Sequence, residues 1–204
     1  YAFRLNKPTA LSNGDWLLPV TWSRQTPNGW FFREPRLHGV AISTDHGATW
    51  RLHGEVVAQP HAMENMVVEL RDGRLWMLIR TRSGVLWESY SADGGYTWSA
   101  GAPSAIVNPG VRFFIRRLSS GRLLLINCPN PSKRQGLRAY LSLPEHEQRF
   151  GPGLELDARD QVSYPDAIET PDGLIHAVHD CNRSGTGEIL MDSFSEAEIL
   201  AIQG

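Results

Sequence analysis

The 204-residue chain has no apolar run near the ~18 residues that a membrane-spanning helix needs. It opens on Tyr1-Ala2-Phe3-Arg4-Leu5-Asn6-Lys7 and has neither the apolar core of a signal peptide nor an initiator Met. Its true start is therefore expected upstream or removed by processing, and secreted or periplasmic locations both stay open. Cysteine is scarce: Cys128 and Cys181 fit no zinc or redox spacing, and two separate thiols are expected rather than a bridge. An excess of one charge is also lacking. With 20 Lys and Arg against 22 Asp and Glu, the net charge of -2 gives no reason to expect nucleic acid or an acidic membrane as a partner. The seven histidines show no metal-ligand spacing, so no metal or cofactor is expected. Helix signals are nearly missing. Only Ser195-Glu196-Ala197-Glu198-Ile199-Leu200 has a Ser N-cap with Glu three residues on, which predicts a short terminal helical turn.

What is present is repetition. Four segments share one plan: an apolar run, a Gly-containing turn, a second apolar run and a third strand. The turns are Ser12-Asn13-Gly14-Asp15, Arg71-Asp72-Gly73-Arg74, Ser119-Ser120-Gly121-Arg122 and Pro171-Asp172-Gly173-Leu174. Asn-Gly and Asp-Gly signal hairpins because both residues tolerate positive φ. The marker glycines lie 59, 48 and 52 residues apart, near the ~40–50 residues of a four-stranded propeller blade. The flanking runs, such as Met66-Val67-Val68-Glu69-Leu70 and Leu75-Trp76-Met77-Leu78-Ile79, are short and rich in β-branched or large apolar side chains. The expected fold class is an all-β propeller of about four blades, with repeats at about 1–55, 60–103, 108–155 and 160–204 of a single domain.

Two third strands end alike. Ser43-Thr44-Asp45-His46-Gly47-Ala48-Thr49-Trp50 and Ser91-Ala92-Asp93-Gly94-Gly95-Tyr96-Thr97-Trp98 both read S-x-D-x-G-x-T-W. The carboxylate can accept backbone N–H groups in a tight turn, Gly supplies positive φ, and Trp plugs the hairpin. A degenerate version runs from Ser142 to Phe150, and the fourth repeat has lost it at Asp192-Ser193-Phe194. These turns read as structural.

The two turns match the Asp boxes of the bacterial neuraminidase repeat, and the chain resembles the later blades of the six-bladed sialidase family. Glu64-Asn65-Met66 through Leu78-Ile79-Arg80 resembles the blade that begins with an active-site Glu and ends its second strand with Arg. Ser163-Tyr164-Pro165-Asp166 resembles the opening of the final blade with the catalytic Tyr, and Arg134-Gln135-Gly136 through Ser142 the strand preceded by the last substrate-binding Arg. The match is incomplete. Arg4-Leu5-Asn6-Lys7-Pro8 is a poor stand-in for the family's Arg-Ile-Pro opening, and no Asp lies between Asp15 and Asp45. The first Arg, the acid/base Asp and about two blades are therefore expected outside this stretch. Pro165 also stands where Ser is more usual.

Aligning the repeats on their glycines places Leu5, Glu64, Arg112 and Tyr164 nine residues before each Gly, near the start of the innermost strand. Seven residues after stand Thr21, Arg80, Cys128 and Asp180. A carboxylate, a guanidinium and a phenol at equivalent positions point to a site rather than a core. By resemblance, Tyr164 is the nucleophile and Glu64 its base. Arg80 and Arg134 then clamp a substrate carboxylate, and Arg112 meets the glycerol or the aglycone. The implied partner is a sialoglycan or another acidic glycan. Structural readings stand beside these: Tyr164 as a core side chain, Glu64 paired with Arg112 or Arg80, Arg80 in a salt bridge between blades, and Arg134 on a solvated basic face with Lys133 and Arg138. Trp22 and Trp30 are candidates for sugar stacking, and His61 for the pocket wall. The rival functions are a glycosidase or lyase on another sugar, a non-catalytic carbohydrate-binding propeller, and a purely structural interaction propeller.

Overall fold

A computed structural model describes residues 2–23, 35–59 and 61–203, in which the four repeats form four antiparallel sheets. The chain divides into two compact units, residues 1–106 and 107–204, with two sheets in each.

In the first unit, β1 (Ala2–Leu5), β2 (Thr9–Ala10), β3 (Trp16–Ser23), β4 (Leu37–Ser43) and β5 (Arg51–Val57) make one sheet, ordered β1-β3-β4-β5 with β2 also on β3. The first strand is split because Asn6-Lys7-Pro8 passes opposite Leu18 and Pro19. Proline has no N–H for the ladder, and the gap lets Pro19 sit in a central strand while its carbonyl still accepts from Asn6 N at 3.2 Å. The second sheet runs in sequence order through β6 (Asn65–Glu69), β7 (Leu75–Ile79), β8 (Val85–Ser91) and β9 (Ala102–Val107). Strand β7 is buried throughout, on both faces, as expected of a strand packed on either side. Leu17, Val40, Ile42, Val67, Leu75 and Met77 share one apolar cluster that joins the two sheets. Each fully buried side chain of this kind contributes roughly 1.5–3 kcal/mol.

In the second unit, β10 (Phe114–Arg117), β11 (Leu123–Asn127), β12 (Gln135–Leu141) and β13 (Leu154–Asp160) again pair in order. The last sheet has three strands, β14 (Val162–Glu169), β15 (Leu174–Cys181) and β16 (Glu188–Ser195). Helix α1 (Glu196–Gln203) follows and packs near β12 and β13. Its start is the capping box read from sequence, Glu198 Oε2 accepting from Ser195 N and Oγ at 2.8 and 2.9 Å. The helix extends three residues past the expected turn. No helix among the described residues is long and apolar enough to cross a membrane.

The four hairpins between first and second strands are built alike. In each, the Gly N–H donates to the carbonyl three residues back, at 2.9–3.0 Å. Only the Gly has positive φ, between 82° and 91°. Asn13, Asp72, Ser120 and Asp172 are not left-handed, so the tolerance of Asn and Asp for positive φ goes unused here. The geometry is that of a three-residue loop ending in a Gly bulge. The residue before Gly instead uses its side chain to accept the N–H of the residue after it, as Asp72 Oδ1 does from Arg74 N at 3.0 Å. A second device also repeats. Ser12 N and Oγ donate to Glu69 at 2.8 and 2.6 Å, and Ser119 N and Oγ donate to Glu169 at 2.7 and 2.5 Å. Within each unit, the hairpin of one sheet is thus tied to the first strand of the next.

The two S-x-D-x-G-x-T-W turns carry matching hydrogen bonds. Asp45 accepts from Thr49 N at 2.8 Å, Thr49 Oγ1 at 2.6 Å and Ser43 Oγ at 2.7 Å. Asp93 accepts from Thr97 N at 2.9 Å, Thr97 Oγ1 at 2.6 Å and Ser91 Oγ at 2.8 Å. The bonds from Thr, and then from Ser, hold both carboxyls down to about 2. In the third repeat the carboxylate bonds are gone, and a bridge between Ser142 and Phe150 closes the turn with backbone bonds such as Leu143 N to Arg149 O at 2.8 Å. In the fourth, Asp192 lies within β16 and meets His179 Nε2 at 3.0 Å. Both cysteines are free and buried. Burial pushes the Cys128 thiol up to about 12, which leaves it inert.

Candidate functional site

Each polar residue picked out by the glycine register lies at or just before the first strand of its sheet. In the first unit Glu64 immediately precedes β6, and Arg80 follows β7. Their backbones extend the β6–β7 ladder: Arg80 N donates to Glu64 O at 2.9 Å and Met63 N to Arg80 O at 2.8 Å. Their side chains form an ion pair of 2.9 Å from Nη1 to Oε2, with 3% and 9% exposure. A charge pair so desolvated is held only if its remaining atoms are bonded too. The neighbours form a connected polar network. Thr21, at the position equivalent to Arg80, donates from Oγ1 to Met63 O at 2.8 Å and lies 3.0 Å from His38 Nδ1. The same hydroxyl lies 3.2 Å from Asn65 Oδ1, so Thr21, His38, Met63 and Asn65 share one buried polar cluster. Burial pushes His38 down to about 3, Arg36 adds to this and Glu64 opposes it, so the ring is neutral at physiological pH. Asn65 ties the two sheets by donating to Gly39 O at 2.9 Å.

In the second unit the first strands present Arg112 and Tyr164. Arg112 follows a loop held by the buried Asn108, whose Oδ1 accepts from Gly110 N at 2.8 Å and Val111 N at 3.0 Å. Tyr164 sits in the irregular stretch of β14 between Ser163 and Asp166, where the pairing with β15 shifts register. Its φ is +54°. A bulky residue in that region is strained, and such strain persists only where the surroundings impose it. Pro165, lacking an N–H, suits a break in the ladder. The half-buried Tyr164 ring lies 5.9 Å from Arg112 Cζ and 4.3 Å from Arg183 Cζ. Arg134 precedes β12, is half-exposed, and among the described residues has no hydrogen bond or ion pair on its guanidinium. It is close enough to Cys128 to act on the thiol electrostatically. A cleft of about 350 Å³ lined by Phe114, Arg116, Arg117, Ile168 and Glu169 lies toward the hairpin ends of β10 and β14, away from Arg112 and Tyr164.

The arrangement thus joins Glu64 with Arg80, and Tyr164 with Arg112. It leaves Arg134 without either set as a bonded partner. Trp22 is 3% exposed and packs with Val20 and Leu37, so it is a core residue and offers no face to a sugar. Trp30 lies outside the described residues. His61 is exposed, with φ of +65°. Leu5 is exposed at the end of β1. Sequence reasoning missed His38, Arg183 and the role of Asp180. Asp180 stood at the position equivalent to Arg80, the one available signal. Arg183 lies in a loop that no periodicity marks. Among the described residues no group of three His, Cys, Asp or Glu is placed to hold a metal ion.

The repeat architecture and the sequence agree on a family, since the BNR repeat-like domain matches residues 3–177. The chain belongs to the BNR repeat-like domain family. No curated protein matches its sequence. Among solved structures, this BNR repeat-like chain resembles the intramolecular trans-sialidase of Ruminococcus gnavus, at 21% identity and a TM-score of 0.69 over 95% of this chain and 43% of that one. It resembles the leech intramolecular trans-sialidase at 21% identity and 0.70, over 97% and 32%. It also resembles the α-L-arabinanase of Penicillium chrysogenum at 17% identity and 0.62, over 100% and 65%. These likenesses establish a β-propeller fold shared with glycoside hydrolases. The BNR repeat-like chain spans less than half the length of either trans-sialidase.

Proposed function

We propose that the four repeats belong to one propeller domain of an exo-acting glycoside hydrolase that removes terminal sialic acid or a related acidic sugar. The observation that carries this reading is Tyr164, an aromatic held at positive φ in a strand irregularity and flanked by two guanidiniums. The anomeric carbon of sialic acid bears a carboxylate, which repels an anionic nucleophile. A neutral phenol avoids that repulsion, and sialidases are known exceptions to the two-carboxylate scheme for this reason. In this reading Tyr164 Oη attacks the anomeric carbon as its proton passes to Glu64, and the bond to the aglycone oxygen breaks. That oxygen takes a proton from an acid the described residues do not supply. Water then reverses the first step and releases the sugar with retention. Arg80 and Arg134 suit the carboxylate because guanidinium donates two parallel bonds, and Arg112 suits the glycerol chain or the aglycone.

A second reading is favoured by the Glu64–Arg80 ion pair and by the likeness to an arabinanase: a propeller that cleaves or only binds a different sugar. The test is release of sugar from a fluorogenic sialoside by the full-length protein and its Tyr164→Phe variant. We expect the variant to lose roughly 10³-fold or more in kcat/KM. Equal turnover would remove Tyr164 from the mechanism. No turnover in either would favour the second reading, and a glycan array would then identify the ligand class.

A further inference from the structure

We propose that Arg183 is the positioning residue of Tyr164, a role that rests on the reading of Tyr164 as the reacting group. Three observations converge on it. Arg183 Cζ lies 4.3 Å from the Tyr164 ring centroid, nearer than Arg112 at 5.9 Å. At that distance the guanidinium lies over the ring, well within cation–π range. Second, Arg183 is tied to the strand that carries Tyr164. Its Nε lies 3.6 Å from Asp180 Oδ2, and Asp180 Oδ1 accepts from Ser163 Oγ at 2.6 Å. Ser163 is both the ladder partner of Asp180 and the residue before Tyr164. The path from Ser163 through Asp180 and Arg183 to the Tyr164 ring therefore closes on itself. It spans the point where the β14 ladder is irregular, and so adds a side-chain restraint there.

Third, the loop carrying Arg183 has a defined shape. Asn182, with φ of +47°, donates from its N to Gln161 O at 3.2 Å. Its own carbonyl accepts from Gly185 N at 2.9 Å and Gly187 N at 3.0 Å. A Cβ on Gly185 would come within 2.5 Å of the Asn182 amide. The loop backbone is thus held in one shape, from which the half-exposed Arg183 side chain reaches the ring. A guanidinium over a ring whose backbone sits in a strained region helps keep the ring's hydroxyl aimed. Displacement of a reacting atom by about 1 Å can cost about 10²-fold in rate.

The test has two arms on the full-length protein. The first needs no activity. With 13C-labelled tyrosine rings and 15N-labelled arginine, the Arg183 Nε–H resonance is expected upfield under the Tyr164 ring current. It should stay there in Tyr164→Phe and move to an ordinary position in Tyr164→Leu. The Tyr164 ring is expected to lose order in Arg183→Ala and to recover part of it in Arg183→Lys. An unshifted Arg183 resonance, or unchanged ring order in Arg183→Ala, overturns the proposal whatever the enzyme's substrate. The second arm is kinetic, on the sialoside. Arg183→Ala should lower kcat by about 10- to 100-fold with KM within about twofold. A raised KM at constant kcat would make Arg183 a substrate contact and overturn the positioning role. If wild type releases no sugar while the first arm holds, the hydrolase reading fails and the Arg183–Tyr164 restraint stands.

Discussion

The two units share a skeleton and differ in what they hang on it. Both use the same Gly hairpin and the same Ser-to-Glu tie, Ser12 to Glu69 in one and Ser119 to Glu169 in the other. The first unit keeps two S-x-D-x-G-x-T-W turns, whereas the second has let both decay. Just before the first strand of its second sheet the first unit holds a buried Glu64, tightly paired with Arg80 just past the end of β7. The second holds a strained, half-buried Tyr164 between cations that are partly exposed. The skeleton is therefore separable from the chemistry. Turn architecture depends on residues within four positions of one another, and so repeats or decays blade by blade. The polar groups at strand starts answer to neighbours far away in sequence.

The sharpest way to break the comparison is through the ion pair. Glu64→Ala leaves Arg80 charged and buried without its partner, and a loss of about 3–5 kcal/mol is expected in chemical denaturation. Arg134→Ala, at a half-exposed guanidinium with no bonded partner, should stay within about 0.5 kcal/mol. Near-equal losses would mean that the Glu64–Arg80 pair does not form in solution. The next effect lies in acid. Asp45 and Asp93 are held down from 3.8 to about 2. A depressed carboxyl adds stability that is fully present above its unfolded value and is lost as pH falls through its folded one. The Asp45→Asn, Asp93→Asn double variant should therefore flatten the stability loss between about pH 4 and 2. Part of the slope should remain, because Asp72, Asp157, Asp172 and Glu188 are also held low, each first by its side-chain hydrogen bonds. An unchanged slope would count against the carboxylate bonds in both turns. The smallest effect concerns the two copies of that turn. His46 sits at φ of +54° where the second copy has Gly94 at +75°. His46→Gly should raise stability by about 0.5–1 kcal/mol, and Gly94→His should lower it by a similar amount. A destabilised His46→Gly would assign the packing of His46 on Trp16, with ring centroids 5.9 Å apart, more weight than the backbone strain.

Read alone, the sequence determined the features built from near neighbours. These are the four Gly hairpins, the two S-x-D-x-G-x-T-W turns, the capping box of α1 and the placement of Glu64, Arg112 and Tyr164 at strand starts. All are set by spacing, and spacing is visible in one dimension. Other features required the tertiary structure. The hairpins use a Gly bulge rather than two left-handed residues, because side chains such as Asp72 can satisfy a backbone N–H themselves. The break between β1 and β2 depends on Pro19 facing it across the ladder. Trp22 turned inward because its strand is central to its sheet. The pairing of Glu64 with Arg80, the neutrality of His38 and the placement of Arg183 over Tyr164 join residues 16 or more positions apart in sequence, or depend on burial from water. Distance and dielectric are properties of the folded chain, and no pattern of residue types along it encodes them directly.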